Sequence, residues 1–290
     1  MIPDTMKTSA SSLSRTFGFF ASVSTALVAV SLSQAATIVP ETWYSSHSGG
    51  TTVGDGVQFA TNEGTSVRHI LTYFTPTTLS NVGDSVNVSL TFSAQFTTDP
   101  ASNNTNFGFS LYNSDGNRIS ADDLGSSSST FNSYRGYRVN MRTKPANASQ
   151  AALLLRTRSG NNDILGSSTA HPVLIEEVQN GGSSGSNLVS GNQYDVEYTI
   201  TRTGADELGI SFTITGMGLS NYSYSWTVAS TTDGFTTTFD TFAITLASQS
   251  IFESITLKNV TVSTIPEPGA AAALTGLGAL GLVACRRRRR

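Results

Sequence analysis

Between Val86 and Phe96 the chain alternates strictly. Val86, Val88, Leu90, Phe92, Ala94 and Phe96 interleave with Asn87, Ser89, Thr91, Ser93 and Gln95. A period of two over these eleven residues predicts a strand with one buried face and one wet face. The pattern recurs at Tyr194, Val196, Tyr198 and Ile200, separated by Asp195, Glu197, Thr199 and Thr201. After the turn Thr203-Gly204-Ala205-Asp206 it continues at Leu208, Ile210, Phe212 and Ile214, so the two segments predict a hairpin. Tyr222, Tyr224, Trp226 and Val228 repeat it. Further strands are expected at Val67–Phe74, Phe107–Tyr112, Arg135–Met141, Ala152–Arg158, Val173–Val178, Phe239–Leu246 and Ile251–Val262. In the last of these, Ile255 and Leu257 have one parity and Val260 and Val262 the other, which predicts a bulge near Lys258–Asn259.

No segment of the body has helical periodicity. Roughly ten strands separated by Gly, Asn, Asp and Ser turns predict an all-β, antiparallel, jelly-roll-like sandwich. One-sided alternation favours antiparallel over parallel sheet. A right-handed β-helix would need a short regular repeat, and none is present. Gly181–Ser186 and Leu124–Thr130 are Gly- and Ser-rich surface loops that could flank a ligand groove.

The two ends break this pattern. Lys7 and Arg15 precede an apolar run, Phe17–Leu32, and Ser33-Gln34-Ala35 supplies small residues for cleavage after Ala35. This is the layout of a secretory signal peptide over residues 1–35, with Met1 or Met6 as its start. At the other end, Ile265-Pro266-Glu267-Pro268 is followed by the uncharged segment Ala270–Cys285 and then by Arg286, Arg287, Arg288, Arg289 and Arg290. As a helix, sixteen residues span about 24 Å, short of a hydrocarbon core of roughly 30 Å. Its Ala and Gly content suits transient membrane insertion. The arginines would hold that end on the cytoplasmic side and place the body across the membrane. Both prolines disfavour helix and leave Glu267 on an extended, accessible stretch.

Charge changes once the ends are set aside. Removing Lys7, Arg15 and the five terminal arginines from seventeen Lys and Arg leaves ten; removing Asp4 and Glu267 from twenty Asp and Glu leaves eighteen. The body therefore carries −8 rather than −3, which argues against nucleic acid and anionic membrane surfaces as partners. The only cysteine is Cys285, so the body has no disulfide and no thiolate metal site.

The tail, Ile265–Arg290, resembles the PEP-CTERM sorting signal. That resemblance implies an exported bacterial protein whose tail is processed by an exosortase after the export machinery has moved the body. Gly191–Tyr198 continuing to Ile214-Thr215-Gly216, and Gly83-Asp84-Ser85-Val86 leading into its strand, resemble PEP-CTERM proteins with concanavalin A-like or laminin-G-like bodies. The organisation expected is a signal peptide at 1–35, a β-sandwich at 36–264 and a sorting signal at 265–290, flanked by a helix at each end. The location expected is the cell surface or extracellular matrix.

Candidate chemistry is sparse. Glu176 and Glu177 are neighbours, and on a strand they face opposite ways, unlike the paired carboxylates of a sandwich glycosidase. His47, His69 and His171 are too scattered for a metal triad and are expected to be ordinary surface or partly packed histidines. Asn113-Ser114-Asp115-Gly116-Asn117 is a hairpin signal. Asn113, Asp115 and Asn117 could instead cup calcium, joined by Asp122 and Asp123. Tyr134, Arg135, Tyr137, Arg138 and Trp226 bring aromatics and cations together as candidate carbohydrate contacts, and Trp43 and Tyr44 could contribute. The expected function is structural or adhesive, without catalysis and without a required cofactor. The alternative is a lectin-like module for exopolysaccharide, and the third reading is a divergent glycoside hydrolase.

Overall fold

The computed structural model describes residues 36–40, 42–46, 50–60, 69–97, 106–122, 128–142, 151–160, 164, 171–178, 188–219, 222–246 and 252–265. All lie within one compact unit, Leu32–Gly269. The export and sorting segments lie outside the described residues, and with them the two expected helices, Pro266, Glu267, Pro268 and Arg286 to Arg290. So do His47, Asp123 and Gly181–Ser186.

Fifteen strands follow in order: β1 (Ala36–Ile38), β2 (Trp43–Ser45), β3 (Thr51–Val53), β4 (Gly56–Ala60), β5 (His69–Thr78), β6 (Ser85–Phe96), β7 (Asn106–Asn113), β8 (Arg135–Arg142), β9 (Ala151–Arg158), β10 (Val173–Val178), β11 (Gln193–Gly204), β12 (Glu207–Gly216), β13 (Tyr222–Ala229), β14 (Thr238–Leu246) and β15 (Phe252–Ile265). A 3-10 turn, Ser129–Ser133, precedes β8. Among the described residues no helix is long and apolar enough to cross a membrane.

The strands form two antiparallel sheets that pack as a sandwich. Sheet I has the order β13-β12-β11-β6-β15-β4-β3, with β1 also paired to β15. Sheet II has the order β10-β9-β8-β7-β14-β5-β2. The expected hairpin is present, with Tyr198 opposite Phe212 and Ile200 opposite Ile210. The apolar parity of each long strand turns inward, as the alternation requires. At the centre Phe92 meets Phe107 at 5.2 Å, Phe109 at 5.8 Å and Tyr194 at 5.3 Å. Such pairs combine apolar burial with ring-edge complementarity.

The final strand, β15, is central to sheet I rather than an edge. On one side it pairs with β6 along its length. On the other it pairs with β4 over Ser254–Lys258 and with β1 over Val262–Thr264. The predicted bulge lies between these two partners: register shifts between Lys258 and Thr261, and Asn259 takes φ +51°. Asn tolerates this left-handed conformation better than a branched residue does. The shift brings Val260 and Val262 to the same interior as Ile255 and Leu257.

The outward faces differ. Sheet I presents Asn87, Thr91, Asp195, Glu197 and their neighbours to solvent or partial burial, tied across strands. Asn87 Nδ2 donates to Thr199 Oγ1 at 2.7 Å and to Glu197 Oε2 at 2.9 Å, and Thr91 Oγ1 donates to Asp195 Oδ1 at 2.7 Å. Sheet II has a second, smaller core on its outward side, formed by Leu71, Tyr112, Ile119, Phe131, Tyr134, Ile164 and Ala243. The connection from β7 to β8 provides much of this cover. The Asp-Gly turn therefore closes no hairpin: β7 and β8 do pair, Asn113 opposite Arg135, but only after the excursion across the sheet face. Asp240 anchors that excursion. Its carboxylate accepts from Ser114 N at 2.8 Å, Ser114 Oγ at 2.6 Å, Thr241 Oγ1 at 2.8 Å and Arg118 Nη2 at 3.0 Å.

Candidate functional site

The gap between β4 and β1 along β15 opens a recess. Residues 259–261 fall between the two partner strands, and the bulge turns Asn259 outward there. Opposite, the segment after β1 crosses to sheet II and delivers Trp43 on β2. The indole is half-buried, set edge-on to Phe59 at 6.2 Å and Phe242 at 6.4 Å. Phe59 on β4 and Phe242 on β14 thus fix its plane while part of it stays in contact with solvent. The recess holds about 750 Å³ and is lined by Trp43, Thr52, Asp55, Asp122, Lys258 and Asn259 among others.

Local chemistry keeps this recess open. Gly54, φ +61°, supplies the turn between β3 and β4. A Cβ on Gly56 would lie 2.6 Å from the Leu257 carbonyl, so only glycine lets β4 approach β15 here. Lys258 Nζ meets Asp55 Oδ1 at 2.7 Å. The hydrogen bond from Lys258 holds the Asp55 carboxyl below its usual range, so Asp55 stays ionised and is unsuited to act as a general acid. Asp122 Oδ1 accepts from Ser45 N at 2.8 Å, which ties the covering segment of sheet II to β2.

A second recess of about 630 Å³ shares Val39, Pro40 and Thr42 with the first. Tyr44 and Tyr73 line it, their rings 5.9 Å apart. Arg118 stands over the Tyr73 ring at 5.0 Å while its Nη2 donates to Phe74 O at 2.8 Å and pairs with Asp240. Tyr73 Oη accepts from Ile119 N at 2.8 Å and lies 2.6 Å from Tyr134 Oη. Burial raises the Tyr73 and Tyr134 pKa values, so both phenols remain protonated.

Most of the residues expected to contact carbohydrate are elsewhere and out of reach, which corrects that expectation. Tyr134, Tyr137, Arg138 and Trp226 are all buried. Tyr137 belongs to the main core and Tyr134 to the smaller one. Trp226 faces the interior from β13, stacked on Tyr224 at 6.0 Å. Arg135 donates to Asn132 O and Tyr134 O, both at 3.2 Å, and serves the end of the 3-10 turn. Trp43 and Tyr44, the secondary candidates, line the two recesses described above.

The expected calcium loop is a turn held by its own side chains. Asn113 Oδ1 accepts from Asp115 N at 2.9 Å, and Asn117 Nδ2 donates to Ser133 Oγ at 3.0 Å. Asp115 and Gly116 both take positive φ, +54° and +76°. Asp122, expected to join the loop, lines the Trp43 recess instead. Among the described residues no three His, Cys, Asp or Glu converge as a metal site.

The two described histidines are not surface residues. His69 and His171 have no exposed surface. His171 Nε2 lies 3.1 Å from Tyr112 Oη and 3.4 Å from Arg158 Nη1, and its backbone carbonyl accepts from Arg156 at 2.7 Å. Burial, followed by the fields of Arg138, Arg158 and Arg156, drives the His171 pKa well below its usual value. Glu176 and Glu177 take consecutive register positions on β10, opposite Leu154 and Leu153.

No protein-family model matches the chain, and no curated protein matches it. Among solved structures it is similar to lectin I from Ulex europaeus in complex with the methyl glycoside of α-L-fucose. Identity there is 12%, covering 80% of this chain and 97% of that one, with a TM-score of 0.46. It is also similar to arcelin-5, a lectin-like defense protein from Phaseolus vulgaris, at 13% identity, 80% and 97% coverage and TM-score 0.44. Metal-free lectin I-B4 from Griffonia simplicifolia follows at 12%, 85% and 96%, and 0.42. The likeness is one of β-sandwich architecture.

Proposed function

We propose that this chain is an exported β-sandwich that binds a saccharide in the recess around Trp43. The carrying observation is the gap in β15 pairing, where a fixed, half-buried indole lines one recess together with Thr52, Asp122 and Asn259. A sugar ring has an apolar face and a rim of hydroxyls. An indole suits the first, and carboxylate, amide and hydroxyl groups suit the second. The volume falls in the range of small-molecule sites, which runs from roughly 300 to 1,000 Å³.

Export and sorting are part of the proposal and rest on residues 1–35 and 265–290. An exosortase and the export machinery are the partners, and the surface or extracellular matrix is the destination. Replacing Arg286 to Arg290 by Ser in the full chain tests this by fractionation. Unchanged processing and location would remove the sorting proposal.

A second reading, structural or adhesive, is favoured by the outward face of sheet I. Its hydroxyl, amide and carboxylate groups bond one another across strands. A glycan array probed with residues 32–269, the unit that carries the whole described core, separates the two. The saccharide reading expects glycans that bind wild-type protein and not Thr52→Trp, a change at an exposed edge position that fills the recess. Absence of glycan binding would leave the structural reading.

A further inference from the structure

We infer that the ligand is a neutral saccharide chain bound along its length, occupying both recesses together. This inference rests on the saccharide reading above and extends it to the class of ligand. The two recesses share the wall formed by Val39, Pro40 and Thr42, and each has its own aromatic group. Trp43 and Tyr44 are adjacent on β2, so the alternation of the strand sends one ring to each recess. Trp43 packs with the main core, and Tyr44 packs with the core on the far side of sheet II. One short strand thus positions two platforms about a common wall. A single sugar would use one of them; a chain passing over Val39, which is 64% exposed, would use both.

Charge selects the kind of chain. The cations among the described lining residues are Lys258 and Arg118, and each is ion-paired, with Asp55 at 2.7 Å and with Asp240 at 3.0 Å. Asp122 adds an acceptor to the first recess. Around them the body carries −8, from ten Lys and Arg against eighteen Asp and Glu. A uronate-rich polymer would approach against that field and find its obvious counter-ions already engaged. A neutral chain meets no such opposition. Hydroxyl donors can use Asp122, and ring faces can use Trp43 and Tyr44.

Linked subsites make the second contact intramolecular, so affinity should rise with chain length until both are filled. The test is isothermal titration of residues 32–269 with length series of neutral oligosaccharides, taken from a polymer that binds on the array, and with uronic-acid oligomers. Two plugs at exposed positions distinguish the recesses: Thr52→Trp in the first and Thr75→Trp in the second. Circular dichroism confirms that each variant folds. Wild-type affinity should increase about tenfold or more from the monosaccharide to the longer neutral oligomers. Thr75→Trp should erase that increment and leave the monosaccharide affinity, while Thr52→Trp should erase all binding. Equal affinity for short and long oligomers, or a length increment untouched by Thr75→Trp, overturns the two-recess cleft. Uronate oligomers that bind as well as neutral ones overturn the charge argument. If no saccharide of either series binds, the saccharide reading itself fails, which is a different result from either of these.

Discussion

Acid will destabilise the sandwich through His69, and His69→Phe will remove that share of the loss. His69 opens β5 on the outward side of sheet II and has no exposed surface. Neither of its ring nitrogens has a hydrogen-bond partner among the described residues, and its ring meets Phe131 edge-on at 5.5 Å. Burial therefore lowers its pKa from 6.5 to about 4. The folded state disfavours the proton, and the unfolded chain does not. Stability is complete above the unfolded pKa, near 6.5, and falls with decreasing pH until the folded pKa is reached. Between pH 8 and pH 5 the difference amounts to about 2 kcal/mol. Guanidinium unfolding of residues 32–269 at both pH values measures it, provided m is unchanged. His171 shifts in the same direction and contributes equally to both proteins, so the comparison isolates His69. The Phe variant should lose about 2 kcal/mol less than wild type over this interval. At pH 8 it should be no less stable, because two partnerless buried nitrogens are gone. Equal acid losses in the two proteins would refute the reasoning.

Other outcomes follow from the same packing. Asp240→Ala removes the acceptor that holds Ser114, Thr241 and Arg118, and should cost about 3–5 kcal/mol. Limited proteolysis should then cut the connection between β7 and β8 before the rest of the unit. Asn259→Val places a branched side chain at φ +51° and should cost about 1–2 kcal/mol, whereas Asn259→Gly should be nearly neutral; melting curves of the pair decide this. Ending the chain before Phe252 removes the central strand of sheet I and should abolish cooperative unfolding, seen as loss of the near-UV dichroism.

The strands that build the core were legible because each long one alternates with a single parity. Even the bulge at Lys258–Asn259 could be located, since Ile255 and Val260 cannot both face inward without an extra residue. The four short strands β1 to β4 were not, since three to five residues hold too little periodicity to stand out. The candidate site suffered most, because those strands build it. Alternation also identifies the apolar parity without saying whether the polar one meets water. Arg138 and Asn140 have the polar parity of β8, yet both are buried, and Arg138 lies close enough to the buried His171 for its charge to lower the imidazole pKa. Trp226 erred in the opposite sense: it was a candidate for contact, but its own alternation with Ser225 and Thr227 already placed it inside. Trp43 lies on a three-residue strand, and only its approach to the β15 gap gives it a role.

The chain has two tryptophans, one in the recess and one on the opposite side of the sheet order, so their indole N–H signals form an internal control. The most direct measurement is an NMR titration of residues 32–269 with a glycan that binds on the array, following both signals. The saccharide site predicts a saturable shift at Trp43 and an unmoved Trp226. A bound glycan that leaves Trp43 in place, or shifts only Trp226, would contradict it.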